Sequence, residues 1–422
     1  MAYSKESDLV PKNLCVIPEK GETHSDQLSD CYRQLTEISI RKGYFLHKIM
    51  KQTIFIAVSS NSEYLAEKQN LLACVKEFFD EMPPTSIIAQ SPENGSLVLE
   101  LTYLTGVLPH ELIHKQNDEA SWLVFQRESV KMIFASGLGD SNDETNILQQ
   151  SIAAFAQLSR ILTEEEMEFS NIMRQWNYIE QITGNFLQNN SISQHYQIFN
   201  DVRSMFYQSA DFKNGYPAAT GIGMHCGGII IDVIAARVEV EKLVVALKSP
   251  VQLDAFSYSK EVLAENDTMP NFSRTTPKFE RAKILFTPES LLILISGTAA
   301  IIGQSSTSKL SVEQQTEMTI QNILRLISSE NLLEHGIESA EDATITYLRV
   351  YVKHSKDMAQ VKNICMKYFT LLPIVYVVAD ICRSELLVEI EGQAVSGITE
   401  SKVPYINKEN YEPQPFRLAK IE

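Results

Sequence analysis

The 422-residue sequence has no apolar stretch approaching the roughly 18 residues that a membrane-spanning helix needs. Its opening, MAYSKESDLVPKNL, lacks the basic start and apolar run of a secretory leader, so a cytoplasmic protein is expected. Cysteine is sparse and scattered. Cys15, Cys31, Cys74, Cys226, Cys365 and Cys382 form no C-x-x-C pair, which suggests neither a zinc knuckle nor a disulfide framework and leaves buried thiols as the expectation. Positive charge is also short: 37 Lys and Arg against 53 Asp and Glu give a net charge of -16, which argues against nucleic acid and anionic membranes as partners. A small anionic substrate would need a locally basic pocket.

What is present is a pattern written more than once. Residues 130–139 (VKMIFASGLG) and 291–299 (LLILISGTA) are apolar strands that run into Ser136-Gly137 and Ser296-Gly297. Each leads through a polar loop to an amphipathic helix, TNILQQSIAAFAQLSRIL and EQQTEMTIQNILRLI. A second strand follows (RQWNYIEQI, ITYLRVYVKH), then a helix ending in Phe206-Tyr207 or Tyr368-Phe369, then a closing strand (GGIIIDVIAARV, SELLVEIEG). Residues 37–103 repeat only the closing half, and its opening half is missing or unrecognisable. So few copies suggest an internal pseudo-oligomer of α+β units, sheets inside and helices outside. The expected divisions are 1–119 with a degenerate half-unit, 120–262, 275–395 and a tail at 396–422, with linkers near 104–120 and 263–275.

Two eye-catching motifs have plainer readings. His110-Glu111-Leu112-Ile113-His114 spells H-E-x-x-H, yet Pro109 precedes it, no apolar helix carries it and no third ligand is evident, so a metal site is not expected. The run GIGMHCGG (221–228) departs from G-x-G-x-x-G and precedes a strand, so its glycines serve either close backbone approach or a pocket wall.

The segment Cys382-Arg383-Ser384-Glu385-Leu386-Leu387-Val388-Glu389-Ile390-Glu391 is richer. Strand alternation puts Glu389 and Glu391 on one face, which is either solvated or turned into a cleft. Aligned closing strands set Cys226 and Asp232 against Arg383 and Glu389, and no arginine stands near GSLVLE. Only the last unit keeps both groups, so one asymmetric site is expected. Arg203, Arg349 and Arg281 each suit a surface or structural role, and together could bind a dicarboxylate through bidentate pairs.

The segments RQWNYI, PAATGIGMHCGG, ISGTAAIIGQSS, YLRVYVKH and ADICRSELLVEIEG together resemble the chorismatase family over about residues 120–395. The N-terminal region is longer than that family suggests, and residues 1–119 carry no motif to transfer. The resemblance implies repeats similar to RidA/YjgF (chorismate-mutase-like) proteins, forming a pseudo-trimer with a site between units. It implies that Glu389 protonates the enolpyruvyl ether of chorismate and that Arg383 grips a carboxylate. Ser296, Gly297 and Thr298 would line the pocket, with Cys382 and Ala300 among the substrate-binding positions. It implies no metal or organic cofactor, and Cys382 leans toward 3-hydroxybenzoate over dihydroxycyclohexadiene-carboxylate as product, with Ala299-Ala300 open to either. Alternatives are a RidA-type imine or enamine deaminase and a non-catalytic binding protein. A monomer is expected, with a dimer possible through the N-terminal half-unit.

Overall fold

The computed structural model describes residues 10–42, 48–127, 130–139, 145–188, 191–238, 243–259, 263, 275–287, 290–306, 309–337 and 342–397. Most of the expected linker at 263–275, and the expected tail beyond Gly397, lie outside them.

The first unit comprises β1 (Lys12–Val16), α1 (His24–Lys42), β2 (Ile49–Ile56), α2 (Asn61–Phe78), β3 (Thr85–Ile88) and β4 (Leu97–Tyr103), with sheet order β1-β4-β2-β3. The second contains β5 (Leu112–Gln116), β6 (Ser121–Arg127), β7 (Val130–Leu138), α3 (Ile147–Glu164), β8 (Ile172–Glu180), the hairpin β9 (Asn185–Gln188) and β10 (Ser191–Gln194), α4 (His195–Tyr207), β11 (Ala218–Met224) and β12 (Ile229–Val238). Its main sheet runs β11-β8-β12-β7-β6-β5. The third contains β13 (Val244–Leu247), β14 (Ala282–Phe286), β15 (Ser290–Ala299), the short pair β16 (Ile301–Ile302) and β17 (Ser305–Ser306), α5 (Val312–Leu326), α6 (Ser329–Glu334), β18 (Thr344–Val352), α7 (Met358–Tyr368), β19 (Ile374–Val378) and β20 (Val388–Gly397). Its sheet runs β13-β14-β15-β20-β18-β19.

The four-strand core is the same each time: β1-β4-β2-β3, β7-β12-β8-β11 and β15-β20-β18-β19. The α+β expectation therefore holds, with a correction to the first copy. Its opening half is present as β1 and α1; it was hidden because KNLCV is short, half-exposed and lacks the Ser-Gly ending. What the first unit lacks is the outer hairpin. That hairpin also moves the boundaries, because β5 pairs with β6 and β13 with β14, so divisions at 119/120 and 262/275 cut through continuous sheets.

Local sequence explains the elements. Asn146 caps α3 by accepting from the backbone N–H groups of Leu148 and Gln149, while Gln149 reaches back to Asn146; Ser311 and Gln314 do the same for α5. The apolar stripe of α3 (Ile147, Ala154, Phe155, Leu158, Ile161) is buried against Ile133, Ala135, Ile179 and Ile231 of its sheet. The opposite sheet faces meet one another: Met50 and Leu104, Phe134 and Met173, and Leu285 and Leu292 share one buried cluster drawn from all three units.

At the centre the inward faces turn polar. In the closing strands, Glu100 lies opposite Thr53, Asp232 opposite Trp176 and Glu391 opposite Arg349, which are equivalent positions. Each acid is held by a cation of another unit: Lys51 Nζ is 2.8 Å from Asp232, Arg174 Nη2 2.6 Å from Glu391, and Arg349 Nη2 2.7 Å from Glu100. Around this ring Lys51 stands 4.1 Å and Arg174 4.6 Å from the centroid of Trp176. Buried charges survive only when paired and hydrogen-bonded, so this cyclic exchange of ion pairs fixes how the three units meet.

Candidate active site

The register corrects the alignment of the closing strands. Glu389 lies opposite Tyr351, the position where Ile230 faces Tyr178 and Val98 faces Phe55. Asp232 is thus the counterpart of Glu391, and Glu389 has apolar counterparts. The segment joining β19 to β20 (379–387) is longer than that joining β11 to β12 (225–228). A slip of two residues leaves the in-out alternation unchanged, so pattern alone does not reveal it.

Glu389 is 5% exposed, and no described residue hydrogen-bonds its carboxyl. Burial pushes its pKa up to about 8, Glu391 on the same strand face adds to the rise, and Arg174 and Arg281 temper it. The carboxyl occupies space that exists because residue 297 is glycine: a Cβ there would run into Glu389 Oε1. Glu391 behaves oppositely. Burial alone would raise its pKa, but Arg174 and Arg349 outweigh that and hold it below the usual carboxylate range. Two glutamates two residues apart are thereby driven to opposite charge states, the arrangement that separates a proton donor from a fixed anion.

Around Glu389 the third unit supplies Cys382 and Arg281, and the second unit supplies α4 and β11. Tyr196 of α4 lies within electrostatic reach of Glu389, Cys382, Arg203 and Tyr258, and its ring lies where a side chain on Gly221 would stand. Burial pushes the Cys382 thiol up to about 12, and Glu389 adds to this. Arg203 is buried, donates Nη2 to Asn200, and its Nε has no hydrogen-bond partner among the described residues. Arg281 donates to the Leu253 carbonyl and, at 2.6 Å, to the Tyr258 hydroxyl. Lys278 is half-buried; burial and the nearby Arg203 lower its pKa. A neutral buried acid, unspent guanidinium donors and several tyrosines therefore converge where the second and third units meet. This arrangement suits protonation of a small dianion.

Several expected site residues lie elsewhere or are otherwise engaged. Arg349 is fully buried in the central ring, and its guanidinium bonds Glu100, Tyr178 and Tyr351. The Ser296 hydroxyl is tied to backbone, donating to the Glu280 carbonyl and accepting from the Ala219 N–H, and Thr298 donates to the Ser296 carbonyl. Gly297 between them borders the space that the Glu389 carboxyl fills. Ala300 is buried beside β16. Arg383 donates to the Gln304 carbonyl at 2.9 Å and lies over the Tyr258 ring, anchoring the segment before β20. The H-E-x-x-H run is a short turn at Pro109–Glu111 followed by a strand, and Glu111 is bound to Arg127. Among the described residues no group of His, Cys, Asp and Glu is disposed to hold a metal, and no described helix is long and apolar enough to cross a membrane. Sequence reasoning missed Tyr196, Thr220, Tyr258 and Lys278, residue types too common to stand out before the fold gathers them.

Comparison with known proteins supplies the family. A 3-hydroxybenzoate synthase of Streptomyces hygroscopicus is 32% identical over 243 residues, 57% of this chain and 67% of that protein. The chain belongs to the chorismatase family. The model described as "Chorismatase FkbO/Hyg5-like, N-terminal" matches residues 113–235, and a chorismatase of Streptomyces rapamycinicus is 32% identical over 53% of this chain and 64% of its own. A chorismatase crystal structure shares the fold, with a TM-score of 0.65 at 21% identity, covering 92% of this chain and all of the other.

Proposed function

We propose that this chorismatase-family chain cleaves chorismate into pyruvate and a ring acid, with Glu389 as the general acid. The observation that carries the reading is the buried Glu389 carboxyl, unbonded among the described residues, with its pKa raised to about 8, beside a cluster of cations. The proton of Glu389 passes to the terminal methylene carbon of the enolpyruvyl ether, forming a C–H bond and leaving an oxocarbenium ion. Water or the ring's own hydroxyl adds to that cation and gives its proton to the Glu389 carboxylate, and the C–O linkage between the resulting ketal and the ring then breaks to release pyruvate. The two carboxylates of the substrate need paired donors once desolvated, and Arg203, with its bare Nε, and Arg281 are the groups on hand.

Cys382 and the relative named 3-hydroxybenzoate synthase favour 3-hydroxybenzoate as the ring product. Closure of the three units within one chain favours a monomer. The test incubates the protein with chorismate, following pyruvate by a coupled assay and the ring acid by chromatography. Pyruvate above the spontaneous rate, lowered about a thousandfold by Glu389→Gln, is expected. Arg203→Met should raise KM about thirtyfold with a smaller change in kcat, as loss of a charge-assisted carboxylate contact requires. No pyruvate from the folded protein would overturn the reading, and hydrolysis of small imines in its place would move the assignment to a deaminase.

A further inference from the structure

We propose that Glu391 and Thr220 act as a positioning pair that keeps the Glu389 carboxyl protonated and pressed into the space beside Gly297. This rests on the proposed role of Glu389 as the acid and deepens it.

The geometry is continuous from one carboxylate to the other. Glu391 is 2% exposed and receives Arg174 Nη2 at 2.6 Å, Trp176 Nε1 at 2.7 Å, Arg349 Nη1 at 3.0 Å and the Tyr351 hydroxyl at 3.1 Å. These groups hold it as an anion. Thr220, 1% exposed on β11 of the neighbouring unit, donates its hydroxyl to Glu391 and accepts from Arg174 Nη2 at 2.6 Å and from the Gly297 N–H at 3.0 Å. Gly297 in turn faces Glu389 Oε1, and the Thr220 methyl closes the same space. One hydroxyl thus ties the anion, its cation and the backbone against which the acid rests.

The charge argument runs the same way. The groups facing Glu389 are Glu391 on its own strand, Tyr351 across β18, Arg174 from β8, Arg281 ahead of β14, Cys382 before β20 and Tyr196 from α4. Of these, Glu391 is the anion, and a like charge two residues away on one strand face disfavours ionisation of the other. Removing it leaves Arg174 and Arg281 facing Glu389 without counterweight, so Glu389 would ionise at lower pH. Catalysis that needs the protonated form is then lost earlier as pH rises.

The experiment measures kcat/KM for pyruvate release from chorismate against pH in the full chain and in Glu391→Gln, Thr220→Val and Thr220→Ser. The wild-type alkaline limb is expected near pH 8. Glu391→Gln should move it down by about one unit, a tenfold loss above the limb with a much smaller loss below it. Thr220→Val keeps both charges and should lower kcat about tenfold with little change in KM, and Thr220→Ser should restore it. An unmoved limb in folded Glu391→Gln, or Thr220→Val indistinguishable from wild type, overturns the pairing. Should Glu391→Gln not fold, the Thr220 variants decide alone. Failure of the proposed function looks different: the wild type then releases no pyruvate, or Glu389→Gln releases it as fast as the wild type.

Discussion

The second unit meets its two neighbours through interfaces of the same design, and only one of them carries a candidate site. Toward the third unit, Gly297 N–H bonds the Thr220 hydroxyl, which bonds Glu391, held by Arg174. Toward the first unit, Gly137 N–H bonds Asp232 directly at 2.9 Å, Ser86 donates to the same oxygen, and Lys51 takes the other. The glycine, the hydroxyl on the neighbouring parallel strand, the acid and the cation recur. Two residues before the acid the interfaces part: Glu389 stands at one and Ile230 at the other. The space beside the glycine differs with it, filled by the Glu389 carboxyl at Gly297 and by the Thr85 carbonyl at Gly137. The shared ion pairs hold the units together, and the candidate chemistry was added beside one of them by a single acidic position and the cations around it.

The largest effect that would break this comparison is loss of a shared pair. Lys51→Met leaves Asp232 charged and uncompensated, and should destabilise the fold by about 3–5 kcal/mol in denaturant titration. A cost near zero would mean the ring does not bind the units. A smaller effect separates the glycines. Gly137 has φ +73° and backbone against it, so Gly137→Ala should cost about 1–3 kcal/mol. Gly297→Ala instead displaces Glu389 and should lower kcat more than stability. Equal stability losses with unchanged kcat would erase the distinction.

A further expected effect lies in the pH dependence of stability. A carboxyl whose folded pKa is raised from 4.5 to about 8 costs native stability progressively as pH rises across that window, and by a constant amount above it. Glu389→Gln should therefore leave Tm unchanged at about pH 4.5 and raise it by a few degrees at about pH 8. A Tm gain that does not grow with pH would show that Glu389 is not held protonated.

The sequence made the repeated units legible because strand alternation and amphipathic helices are local signals; Glu389 and Glu391 both stand as acids in an apolar strand, and only the family resemblance points to Glu389. The central ring was not legible. Its pairs join Lys51 to Asp232, Arg174 to Glu391 and Arg349 to Glu100, and separations of that length leave no local trace. Arg349 therefore suits either a structural role or a substrate contact by sequence, since a lone arginine in an apolar strand serves a ligand or a buried acid equally well. Tyr196 and Thr220 became visible only when the second unit was laid against the third.

The most direct test of a single site at the second interface is a crystal structure of Glu389→Gln soaked with chorismate. The account predicts substrate between the second and third units, its carboxylates on Arg203 and Arg281 and its enolpyruvyl methylene against residue 389. Substrate beside Ile230, or with its enolpyruvyl group turned away from residue 389, would contradict it.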